Sequence, residues 1–153
     1  MLTDTLVRLF RRDLEKLKEE LLQYQDERNI WRITPDIKNS AGNLCLHLVG
    51  NLNTYIGANL GQSGYVRHRD LEFSLKHVPR ETLLASIDDT IAIVTQTLPN
   101  IQAPEEEYPE VIWDQRTSIE YVLIHLVTHL DYHLGQVNYH RRLLDVTAVG
   151  EKQ

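Results

Sequence analysis

The chain has 153 residues, 42% hydrophobic and 25% charged, which is the make-up of one globular domain long enough to build a core without covalent staples. Sixteen Lys and Arg against 22 Asp and Glu leave a net charge of −6. The charges are mixed in sign along the chain, so no basic patch is left for a phosphate backbone and nucleic acid is excluded as a partner.

The first predicted helix runs from about Thr3 to Gln25, where Leu6, Phe10, Leu14, Leu17 and Leu21 recur at spacings of three and four and share one face. Arg11–Glu15 and Lys16–Glu20 are expected as i,i+4 pairs on its solvent side. Its opening has no uninterrupted apolar stretch and no small-residue cleavage site, so no signal peptide is expected. Asp26 to Asn39 reads as a loop around Pro35, with Ile30, Trp31 and Ile33 packed inward.

Ser40 is a good N-cap for a second helix reaching about Leu60, with Leu44, Leu48, Leu52, Tyr55 and Ile56 on its apolar face. Cys45 is the single cysteine, so neither an internal disulfide nor a cysteine-based zinc knuckle is possible; a reducing, cytoplasmic location is the expectation. Cys45 reads as a small core residue. A long connection, Gly61 to Pro79, leads to a third helix that buries Leu83, Leu84, Ile87, Ile91, Val94 and Leu98. A second long connection carries Pro104, an acidic run and Pro109. Thr117 and Glu120 read as a capping box that starts the last helix, which extends to about Asp145. Four helices without hairpin signals make an all-α four-helix bundle with long inter-helix connections, and no run of 18 apolar residues is present to span a membrane.

Four of the seven histidines, His125, His129, His133 and His140, fall within the last helix. At about 100° per residue, with His129 at 0°, His125, His133, His140 and Gln136 fall within about 40° of it, on the edge of an apolar arc formed by Val122, Leu126, Leu130 and Val137. Tyr121, Tyr132 and Tyr139 flank the histidines on the other side, where they could orient a substrate. Buried ring nitrogens need partners, and two histidines at i,i+4 can converge on one divalent ion. Two overlapping pairs are available, 125/129 and 129/133, and His47 on the second helix is the natural third ligand. Cys45 lies about 200° around the helix from His47 and does not share that ion. His68 and His77 read as solvated and His140 as packed near the bundle end. Gly135, mid-helix, costs about 1 kcal/mol against Ala, which suggests a close backbone approach there.

His129-x-x-x-His133-Leu134-Gly135-Gln136, late in a four-helix chain and preceded by a lone His in the second helix, resembles the DinB-like (DinB/YfiT) superfamily over nearly the whole chain. Arg69-Asp70-Leu71-Glu72-Phe73 and the run from His133 to Leu144 look like a branch of it without an assigned activity. The resemblance implies a three-histidine metal site of His47, His129 and His133, which selects the second of the two pairs. His125, Gln136 and Tyr132 then become partners of the ligands rather than ligands. It further implies a homodimer and a thiol-dependent transferase or isomerase acting on a small molecule with a low-molecular-weight thiol such as bacillithiol or mycothiol.

Three neutral imidazoles suit Zn²⁺ or Ni²⁺ and leave a coordination position open. The leading expectation is metal-dependent group transfer to or from a thiol; a metal-assisted hydrolase uses the same site. The alternatives are a non-catalytic metal- or ligand-binding bundle and a plain bundle with hydrogen-bonded histidines. Asp131 points outward on the last helix, so no general base is assigned.

Overall fold

In the computed structural model, which describes residues 1–146, helix α1 (Leu2–Gln23) buries the five apolar residues that its spacing selects. Residues 147–153 of the expected 1–153 domain lie outside the described residues. Of the expected pairs on the solvent side of α1, Lys16–Glu20 gives way to longer-range bonds. Glu20 accepts from Arg141 Nε (2.7 Å) and Asn138 Nδ2 (2.7 Å), which ties α1 to the last helix. A short 3-10 turn (Glu27–Trp31) buries Ile30 and Trp31, whereas Ile33 is 57% exposed, contrary to expectation.

Ser40 caps α2 (Ala41–Leu52) as expected, its Oγ accepting from Asn43 N. The helix then widens into a π-helical turn, Asn53–Ala58. Such turns are uncommon and collect at functional sites. The connection after it is not all loop, because Arg69–Ser74 forms a short helix, α3. Asn43 Nδ2 donates to the carbonyls of Glu72 and Leu75 (2.9 Å each), so α2 holds the C-terminal end of α3 against itself.

Helix α4 (Arg80–Thr97) buries Leu83, Ile87 and Val94, and Leu98 is buried in the turn that follows. Before α5 (Ile119–Leu144) the chain crosses the bundle end, pinned by Tyr108, whose hydroxyl donates to the Tyr55 carbonyl (2.6 Å). The N-cap of α5 is Ser118 rather than Thr117. The Thr117 carbonyl accepts from Tyr108 N (2.8 Å) and is drawn into a strand-like bridge, so the helix starts one residue later. Pro104 and Glu106 carbonyls take the Glu120 and Ile119 amides, and no reciprocal Thr117–Glu120 box forms.

The four long helices pack as a bundle, with α1 against α4 and α5, and α2 against α4 and α5. No helix among the described residues is long and apolar enough to cross a membrane. The outer face of α5 exposes Tyr121, Ile124, Tyr132, Tyr139 and Leu143. Gly135 lies on this outer side with open space around it, so the expected close backbone approach is absent. Its replacement by alanine therefore meets no clash and gains helix propensity. Gly135→Ala should stabilise the fold by about 0.5–1 kcal/mol in denaturant unfolding, and a destabilised variant would mean that this face is covered.

Candidate metal centre

Helix α2 sends His47 toward α5, and α5 answers with His129 and His133 one turn apart. The Nε2 atoms of His129 and His133 lie 3.1 Å apart, and those of His47 and His129 3.3 Å apart. One nitrogen from each of the three rings falls within 4.8 Å of the others, so the group could hold a metal ion. Tetrahedral bonds of 2.0–2.1 Å place ligand nitrogens about 3.3 Å from each other, which matches the two close separations.

The far sides of the rings explain why these nitrogens are free to bind. His47 Nδ1 donates to Glu72 Oε1 (3.0 Å), and His133 Nδ1 donates to Gln136 Oε1 (2.6 Å). A neutral imidazole carries one proton, so in each ring Nε2 is left as a lone pair pointing at the centre. Three nitrogens thus share one point with at most one proton among them, an arrangement that a cation relieves. His129 Nδ1 is buried without a partner. The ring is held instead by stacking, with His125 parallel to it at 6.1 Å and Trp113 against His125 at 4.2 Å.

Burial, and then the neighbouring His133, His47 and His125, push the His129 pKa down from 6.5 to about 4. Burial also lowers His47, although Glu72 pulls the other way. Both rings are neutral at pH 7, which is the ligand form. In the metal-free protein the unfolded chain takes up a proton on His129 below pH 6.5 that the folded ring resists down to about 4. The contribution of His129 to stability is therefore present above that window and lost as the pH falls through it. Denaturant unfolding should show a slope below about 1.4 kcal/mol per pH unit from this group, since the ring keeps some solvent contact. His129→Gln should flatten it, and an unchanged slope would place the titration elsewhere.

Glu72 is the functional residue that sequence reasoning missed. Its side chain is buried, and both oxygens are occupied: Arg67 Nε donates to Oε2 (2.8 Å), while Arg67 Nη2 and His47 Nδ1 share Oε1 (2.9 and 3.0 Å). Gly50 makes the space for it, since a Cβ there would stand 2.1 Å from Glu72 Oε2.

Beside the imidazoles lies a cavity of about 250 Å³ lined by His47, Asn51, Tyr55, Arg67, Arg69, Ile112, Trp113, Val122, His125, Leu126 and His129. The chain matches DUF1572, a family described as a protein of unknown function, over residues 3–148. The chain belongs to this family. No curated protein and no solved structure matches it. All three histidines, Glu72 and the whole cavity lining lie inside the DUF1572 match.

The remaining sequence candidates fall around this centre of the DUF1572 domain as follows. Gln136 partners His133, and His125 stacks on His129. Tyr132 touches His133 from outside at 5.2 Å but is exposed, and neither it nor Tyr121 nor Tyr139 lines the cavity, contrary to the orienting role expected of them. Burial pushes the Cys45 thiol up to about 12, so it sits inert in the core. His140 is buried away from the centre, its Nε2 donating to the Arg32 carbonyl (2.9 Å) and its Nδ1 accepting from the Tyr24 hydroxyl (2.7 Å). His68 and His77 are exposed.

Proposed function

We propose that this DUF1572 protein is a metal-dependent enzyme of the DinB-like superfamily. It would hold Zn²⁺ or Ni²⁺ on His47, His129 and His133 and transfer a group to or from a low-molecular-weight thiol. The observation that carries the reading is the convergence of three imidazole nitrogens, two of them on rings that line a cavity, with His47 and His133 fixed from behind. A divalent ion held there supplies Lewis acidity, which makes a bound thiol or water more acidic.

The protein side chains divide the remaining work. Glu72 and Gln136 fix the tautomers of His47 and His133 and hold both rings in register. Arg67 balances the buried Glu72 carboxylate, so the negative charge stays at His47 and does not face the cavity. Ile112, Val122 and Leu126 form an apolar wall that keeps water from the electrophile.

The same geometry favours a thiol over hydrolysis. Both Glu72 oxygens are already bonded, and no Asp or Glu lines the cavity. A bound water starts from a far higher pKa than a bound thiol and leans more on a nearby base, so a cavity without one suits the thiol better. The test follows an aryl chloride electrophile with a panel of low-molecular-weight thiols, in zinc- or nickel-loaded protein and in His129→Ala. Turnover that needs both a thiol and the histidine is expected, with one chloride released per thioether formed. Turnover equal in the two proteins, or consumption without any thiol, would overturn the reading.

A further inference from the structure

The cavity has a charge that the chain as a whole does not. The protein carries a net −6, yet the lining holds two arginines and no carboxylate. The two arginines are not equivalent. Arg67 is spent on Glu72 through two hydrogen bonds. Arg69 makes no ion pair among the described residues; its guanidinium lies 5.5 Å from the centre of the Phe73 ring and reaches the cavity from the start of α3. A cationic, partly enclosed cleft in an acidic protein concentrates anions.

A further observation suggests an apolar or aromatic body on the ligand. Trp113 sits at φ 53°, a conformation that bulky residues rarely adopt, in a two-residue turn closed by reciprocal Ile112–Gln115 backbone bonds. That turn places an indole, 53% exposed, at the cavity wall next to His125. Strain of this kind is kept where surrounding structure demands it, and functional sites are where it gathers.

We infer that the cavity takes a small organic carboxylate, with its anionic group on Arg69 and its apolar or aromatic body against Trp113. A single unpaired guanidinium matches a single planar carboxylate, which it can grip with two parallel bonds. A volume of about 250 Å³ lies just under the range of drug-sized sites, so the ligand is compact. The inference names a substrate class for the site proposed above and rests on that reading for its catalytic meaning. The binding itself needs only the cavity.

The probe pair is phenylacetate and its neutral counterpart phenylacetamide. Each is titrated into zinc-loaded and metal-free protein and followed by Trp113 fluorescence, with Trp31 buried and absent from the lining. Phenylacetate should bind at least about tenfold more tightly than the amide in both samples, and Arg69→Gln should bring the two within about twofold. Equal affinities in the wild type overturn the inference. So does a preference that survives in Arg69→Gln, which would put the carboxylate on another group, or the lack of saturable binding up to about 10 mM. Zinc content measured on the same samples separates the two readings. Charge preference in protein that retains no zinc after loading would sink the metal centre alone, and about one equivalent of zinc without charge preference would sink the carboxylate alone.

Discussion

His129→Ala is expected to lose tight zinc binding outright, and His47→Ala and His133→Ala with it, whereas His125→Ala keeps zinc affinity within about tenfold of the wild type. His129 Nε2 is the middle nitrogen of the three, within 3.3 Å of both others, so removing it leaves two donors, too few to hold the ion tightly. The loss should exceed the roughly 10–100-fold cost of removing a mere partner of a ligand. His125 lies on the same face of α5 one turn earlier, and an i,i+4 pair of 125 and 129 would look identical in sequence. The geometry separates the two pairs, because His125 stacks parallel to His129 and turns no nitrogen into the group. Chelator competition on the four variants, with helicity checked by circular dichroism, makes the comparison. If His125→Ala alone removed zinc, the ligand set would be wrong.

The second large effect is expected at a residue that touches no ligand atom. In Gly50→Ala the new Cβ would stand 2.1 Å from Glu72 Oε2. The carboxylate cannot yield freely, since Arg67 and His47 hold it from two sides. The clash is therefore passed to the His47 hydrogen bond, and the ring loses both its orientation and its fixed tautomer. Zinc affinity should fall by about 10–100-fold, or roughly 1.4–2.7 kcal/mol. Glu72→Gln tests the same link without any clash, and a similar loss is expected there. If both variants bound zinc as tightly as the wild type, His47 would need no support from behind.

The periodicity of α1 and the cap at Ser40 are read directly from the sequence, because each rests on residues close together in the chain. The same holds for the histidines of α5. Spacing fixes which rings share a face, and the helix angle between Cys45 and His47 separates core from site. Glu72 is a different case. It lies on a helix of six residues, too short to show a period, between Leu71 and Phe73 in a stretch that reads as loop. Its burial depends on Asn43, Gly50 and Arg67, which are distant in sequence, and a single chain shows no sign that they meet. The tyrosines of α5 fail for a neighbouring reason. They adjoin the histidines on the helical wheel, but the buried arc ends at the histidine row, and one further step around the helix is solvent. Thr117 shows the limit at element ends, where a backbone bridge to Tyr108 overrides a sound capping pattern.

The central claim is that His47, His129 and His133 form a metal centre. Elemental analysis of untagged protein, as purified and after incubation with excess zinc followed by gel filtration, tests it most directly. About one equivalent of zinc or nickel per chain is predicted, and it should be absent from His129→Ala treated in the same way. Wild-type protein that retains no metal after incubation would contradict the claim and return the three imidazoles to the role of half-buried polar residues of the bundle.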